Sequence, residues 1–364
     1  SFLYFEQGLD FGGDLYSLAL DRNAAVADKP RPITAPGPFA PLRVDCAGAW
    51  CTVLGREGQS LFAGADAHRY GFWTSEDVSN PDAPRSERIV LEADGPVVAS
   101  PVDSASWSAG LAYRDAAGLH VGAFTAEGPL YTQPIADAGE PAALFFEANA
   151  ARYRLFERGG DGLLTSRSVA ADGAGAAGPV DAPVLRVMCS AGSGYLALDP
   201  ATRAFYRLSD AGTTGGEPLP PIREGSKELW RCLGDSLYGL AYNGTGALAY
   251  RGSPNATGGW SFETWTFGEP EGDGGLGVGF GAVAGDLADQ RAVFFVARAG
   301  GFSEPLVAIV VGAEGAPLSY ALQLPEEAFL SEAAAPSRGE PSVLRLAWSE
   351  LGTRKGTVST WALP

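Results

Sequence analysis

The feature that most constrains this chain is that it repeats itself. Residues 185–212 read LRVMCSAGSGYLALDPATRAFYRLSDAG, and 229–252 read LWRCLGDSLYGLAYNGTGALAYRG. Cys189 falls over Cys232 and Tyr195 over Tyr238 at a spacing of 43, and Asp199 over Asn243 and Tyr206 over Tyr250 at 44. A third copy opens at residue 42 with LRVDC, where Arg43 and Cys46 stand for Arg186 and Cys189. Self-similarity at a period in the forties means stacked supersecondary units, none of which can bury its apolar surface alone.

The content of a unit follows from its punctuation. Short runs of Val, Tyr, Phe, Leu and Trp alternate with Gly, Asp, Asn and Pro, which is the pattern of strands joined by hairpins, while helical spacing is nearly absent. Reversals are expected at Gly12-Gly13, Glu57-Gly58, Asp115, Gly160, Asp199-Pro200, Asn243-Gly244, Gly300-Gly301 and Thr353-Arg354. Strands such as GYLAL (194–198) and VFFVA (293–297) are apolar on both faces and therefore need cover on both sides of their sheet. Four-stranded antiparallel sheets standing radially around an axis supply that cover, because each packs face to face on two neighbours. The fold class is thus all-β, a β-propeller of eight blade-like repeats, with seven blades as the alternative. A pair of sandwich domains would show cleaner alternation. The whole chain, 1–364, is expected to be one domain, with residues 1–40 and 327–364 closing the ring so that no sheet edge is left open there.

The stretch DLYSLALDRNAAVADKPRPITAPG, beginning at Asp14, resembles one repeat of the bacterial TolB-type propellers, in which an Asp-Leu-Tyr strand precedes a strand with a basic residue and Thr. This likeness covers one unit and implies the architecture alone. A WD dipeptide, a kelch double glycine with its aromatics and a sialidase-type box are absent from the sequence.

Composition narrows the partners. The formal net charge is -17, which repels a phosphate backbone, so nucleic acid is excluded as the expected partner. Apolar runs are far shorter than the roughly 20 residues that span a bilayer, so no membrane span is expected. Only two histidines, four cysteines and one methionine are available as soft ligands, so no metal site is assigned.

Each candidate site has a structural counterpart. If Cys189 and Cys232 occupy one column of the repeat, both should point the same way around the ring, on sheets about 10 Å apart, beyond the ~7 Å a disulfide can bridge. They are expected to stay unpaired and buried. Cys46 and Cys51, in CAGAWC, can face each other across a hairpin as a disulfide, which would indicate an oxidising compartment. The insertion at 64–88 gathers His68, Arg69, Tyr70 and Trp73, and a smaller one precedes Trp260. Together these read as an aromatic binding rim on one face of the disc. Acidic groups at Glu269, Glu271 and Asp273 and at Glu326 and Glu327 lack the ligand spacing of a calcium loop. Asn243-Gly-Thr and Asn255-Ala-Thr fit the glycosylation pattern. His120 reads as structural, and no serine stands in a nucleophile elbow.

The expectation is a non-catalytic, extracytoplasmic propeller, in the periplasm, at the cell surface or secreted, that recognises a protein or glycan partner without a cofactor. The alternative is an enzyme acting on sugars or lactones, with carboxylates, and calcium, gathered at the central channel.

Overall fold

The computed structural model describes residues 2–7, 13–18, 31–32, 39–47, 50–57, 69–75, 89–101, 109–125, 128–180, 186–191, 194–209, 212–222, 226–243, 246–255, 259–267, 283–286, 291–296, 306–322, 328–334, 343–350 and 356–362. These form eight antiparallel sheets in chain order, spanning 2–32, 39–92, 98–135, 140–179, 186–218, 227–267, 283–322 and 328–362. The first and eighth have three strands each, the fourth five, the rest four. In the four-stranded sheets the chain steps from each strand to its neighbour in the ladder; in the fourth sheet the last two short strands, Gly173–Ala174 and Gly178–Pro179, both pair with Leu164–Ala170.

The expected reversals at Asp115, Gly160 and Asp199-Pro200 each fall where two strands pair antiparallel, and those at 12, 58, 244, 300–301 and 353–354 lie outside the described residues. Two show why Asp serves there. Asp115 Oδ1 accepts the Ala117 N–H at 2.8 Å, and Asp199 Oδ1 accepts the Ala201 N–H at 2.8 Å while Oδ2 accepts the Thr202 hydroxyl at 2.6 Å. A side-chain acceptor two residues back closes the turn without help from the ladder.

Apolar surface is buried between successive sheets. In the Gly194–Leu198 strand all five residues are buried: Tyr195 and Ala197 pack on Phe145 and Phe156 of the fourth sheet, Leu196 and Leu198 on Leu237, Tyr250 and Trp260 of the sixth. The same two-sided burial joins the second sheet to the third, the third to the fourth and the sixth to the seventh. The first strands of the third to eighth sheets adjoin one another in order, which places them on the inside of the array. Four innermost strands, including Phe39–Ala47, Glu140–Glu147 and Arg186–Ala191, carry a β-bulge. A bulge adds twist and bend to a strand, which suits strands crowded at a hub.

The cysteines depart from expectation. Cys189 and Cys232 form a disulfide, with Cα atoms 6.3 Å apart, between the innermost strands of the fifth and sixth sheets. Two physical points explain it. Radial sheets converge toward their axis, so the face-to-face spacing of about 10 Å does not hold at the inner strands. The spacing of 43 is also one residue out of phase with the hairpins: Ala191 opposes Gly194 where Leu233 opposes Ser236, a spacing of 42. A slip of one residue reverses the face of every side chain in a strand. Cys189 lies opposite Leu196, which faces the sixth sheet, and Cys232 lies opposite Leu237, which faces the fifth. The two therefore look at each other. Cys46 and Cys51 are direct cross-strand partners in the second sheet, as the CAGAWC hairpin requires, and their side chains lie outside the described residues.

Candidate functional site

The best-defined polar constellation sits on the adjoining inner strands Arg186–Ala191 and Lys227–Leu233 of the fifth and sixth sheets. Unlike the buried second strands, these are partly open: Arg186 and Ser190 are exposed, and Glu228, Trp230 and both disulfide cysteines are half-buried. Arg186 places its guanidinium 5.8 Å from the centre of the Trp230 ring, across the boundary between the two sheets. At that range the ring quadrupole attracts the cation.

Behind this pair lies a buried network. Trp230 Nε1 donates to the Tyr250 hydroxyl at 2.6 Å, and that hydroxyl donates to Glu228 Oε1 at 3.1 Å. Arg203 approaches from the fifth sheet, out of a left-handed turn (φ 57°), pairing with Glu228 and donating to Pro220 O at 2.8 Å. Burial, and secondarily the Glu228 charge, hold the Tyr250 phenol far above its ordinary range, so it remains a hydrogen-bond donor. Gly239 makes room for it: a Cβ there would lie 2.0 Å from Tyr250 Cζ.

Other sheet boundaries carry comparable links. Glu147 accepts hydrogen bonds from Arg152 Nε at 2.5 Å, Arg154 Nε at 2.9 Å and, from the fifth sheet, the Tyr195 hydroxyl at 2.7 Å. Burial pushes the Glu147 carboxyl up, but these three donors outweigh it and hold it below its ordinary value. Arg251 reaches from the sixth sheet to Gly312 O in the seventh at 2.6 Å, pairs with Glu263 at 2.7 Å and lies 5.4 Å over Trp265. Arg114 of the third sheet donates to Gly139 O, at the entry to the fourth, at 2.9 Å. These charged groups join blade to blade.

The rim expected from the sequence is dispersed. Residues 69–75 are the third strand of the second sheet rather than part of a loop. Arg69 is exposed there, opposite Glu92, whereas Tyr70 is buried in the core against the third sheet. Trp73 opposes Val53 in the ladder, and its side chain, like all of His68, lies outside the described residues. Trp260 is 6% exposed and packs edge-on against Phe205 at 4.8 Å, so it belongs to the boundary of the fifth and sixth sheets. Its indole follows the apolar phase of the outermost strand into the core. His120 stacks on Tyr113 and lies 2.9 Å from Asp115 Oδ1, a structural role as expected. The acidic groups at 269–273 and 326–327 lie outside the described residues. Among the described residues no three His, Cys, Asp or Glu side chains converge as a metal site, and no helix is long and apolar enough to cross a membrane.

No family model matches the chain, and no curated protein is found to match it. Solved structures do resemble it. The β-propeller domain of the Trilobed protease from Pyrococcus furiosus, described as having an open velcro topology, superposes with a TM-score of 0.50 at 8% identity, over 90% of this chain and 94% of that one. Catalytically inactive virginiamycin B lyase from Staphylococcus aureus gives 0.50 at 12% identity, over 91% and 97%. Prolyl oligopeptidase B from Galerina marginata gives 0.51 at 10%, over 96% of this chain and 53% of its own length, so the chain spans about half of that enzyme. With the sheet order and the two-sided burial, these likenesses establish the architecture: the chain is a β-propeller.

Proposed function

We propose that this propeller is a non-catalytic binding protein that recognises a protein or glycan partner outside the cytoplasm. The observation that supports it best is Arg186 lying exposed over Trp230 on two inner strands joined by the Cys189–Cys232 disulfide. A cation and an aromatic ring on a braced scaffold suit recognition of carboxylate-bearing or sugar surfaces. The carboxylates of Glu147 and Glu228 are held by arginines and tyrosines of the blade boundaries, which suits them to bracing rather than proton transfer. The disulfide supports an oxidising compartment. In this reading the chain is one domain whose residues 1–40 and 327–364 complete the ring. His68, Arg69 and Trp73 provide peripheral contacts, and no cofactor is needed.

The test is retention of glycans and secreted proteins on the immobilised protein, with Arg186→Glu as the comparison. Loss of retention at an unchanged melting temperature is expected. Turnover of a sugar or lactone that depends on added calcium would replace this reading with the enzymatic one.

A further inference from the structure

Arginines near the blade boundaries are spent on carboxylates: Arg152 and Arg154 on Glu147, Arg167 on Glu157, Arg203 on Glu228 and Arg251 on Glu263. Arg186 is not. Its exposed guanidinium makes no ion pair or hydrogen bond among the described residues, and its partner there is the Trp230 ring. Glu228, the acid two residues from Trp230, is already held by Arg203 and the Tyr250 hydroxyl. Five N–H donors in a planar fork are thus left for a ligand. The backbone aims this arginine. Arg186 lies opposite Leu198 and Cys189 opposite Leu196, and both leucines face the sixth sheet. A spacing of three ordinarily turns two strand residues to opposite faces. The bulge between Val187 and Cys189 takes up the odd residue and keeps Arg186 and Cys189 on one side. Trp230 and Cys232, two residues apart, look back from the sixth sheet. Half-buried Met188, Cys189, Trp230 and Cys232 all belong to this boundary, so one unpaired cation stands in an apolar, sulfur-lined seam.

We infer that Arg186 receives the C-terminal carboxylate of a partner protein whose last residue is apolar. The free fork matches one planar carboxylate through two parallel hydrogen bonds. The half-buried apolar side chains beside it suit an apolar group next to that carboxylate. A sugar would need partners for its hydroxyls, whereas Glu228 and Tyr250 on this seam are already bonded to each other and to Arg203 and Trp230. One carboxylate is also preferred to several, because a chain of net charge -17 repels each further anion on a ligand. The site lies on innermost strands, where the sheets converge, so a chain end reaches it more readily than a folded surface does. C-terminal carboxylates are a recurring handle in peptide recognition. This inference rests on the Arg186 reading of the proposed function and names its ligand.

The probe is a peptide of alternating glycine and serine that ends in valine and leucine, labelled with fluorescein at its N-terminus and titrated by anisotropy against the full, unreduced chain. The same peptide with an amidated C-terminus, and one ending in two serines with a free carboxylate, are the comparisons. The leucine-ended acid should bind saturably, the amide at least tenfold more weakly, about the value of a charge-assisted pair, and the serine-ended acid several-fold more weakly. Arg186→Gln should cost at least tenfold, and Arg186→Lys several-fold, since an ammonium keeps the charge and loses the fork. Both variants should melt like wild type. Equal binding of acid and amide, no binding of either, or full affinity in Arg186→Gln would overturn the assignment. So would displacement of the peptide by glucuronate at lower concentration than by acetyl-leucine, which would give the site to an acidic sugar. A glycan or secreted protein whose retention Arg186→Glu abolishes, but which the leucine-ended acid does not displace, would sink this inference and leave the proposed function standing.

Discussion

Replacing Tyr250 with phenylalanine isolates the link that ties the fifth and sixth blades. The ring stays, with its apolar contacts to Leu196, Leu198 and Phe205, and only the hydroxyl is lost. That hydroxyl accepts from Trp230 Nε1 at 2.6 Å and donates to Glu228 at 3.1 Å. A lost hydrogen bond to a charged group costs about 1.5–3 kcal/mol, and a buried donor left unpaired about 1–3 kcal/mol. Arg203 still neutralises Glu228, and Trp230 is half-buried rather than sealed, so the lower ends apply and the sum is about 2.5 kcal/mol. With an unfolding entropy of about 2.1 cal/mol/K per residue, a chain of this length should melt about 3 °C lower. The assay is a melt and a urea titration of wild type, Tyr250→Phe, Trp230→Phe and the double variant. The single effects should fail to add by about 1 kcal/mol, because both variants break one bond. Additivity within about 0.4 kcal/mol, the scatter of independent sites, would refute the network, as would a Tyr250→Phe protein as stable as wild type.

Further outcomes follow from the same contacts. Gly239→Ala should cost about 3 kcal/mol in urea unfolding, at the top of the overpacking range, because the new methyl meets the Tyr250 ring at 2.0 Å; a neutral substitution would contradict the packing there. Glu147 has a folded pKa below its ordinary 4.5, so its stabilisation is complete above that value and is lost as pH falls through the folded one. Glu147→Gln should therefore flatten the decline of stability below pH ~4.5, and an unchanged slope would show that Glu147 contributes nothing to it. If residues 1–40 and 327–364 complete one ring, removing either segment should lower the melting temperature of the remainder; a truncated chain that melts like the whole would contradict a shared ring.

What was legible in the sequence was legible because it is local. Asp115 and Asp199 mark reversals because a turn's conformation is set within a few residues. GYLAL announced burial on both faces, and both faces are buried. Errors arose where one residue of phase decides the outcome. Aligning Cys189 with Cys232 by identity gave them one face, whereas the hairpin register, offset by 42, sets them on opposing faces. Tyr70 and Trp260 looked like rim residues because polar and glycine-rich sequence surrounds them; their strands turn them into the core. The polar links between blades were invisible for a different reason. Tyr195 and Glu147 are 48 residues apart, Arg203 and Glu228 are 25, and no local pattern relates such partners.

The radial arrangement predicts one covalent fact that no other stacking of these strands demands. Proteolysis of the unreduced protein, prepared under mild oxidation with free thiols blocked, should release a single cross-linked species joining a fragment that contains Met188-Cys189 to one that contains Arg231-Cys232. The species should vanish on reduction. Cys189 and Cys232 recovered as blocked thiols, or either one joined to Cys46 or Cys51, would mean that the fifth and sixth sheets do not face each other at a common hub.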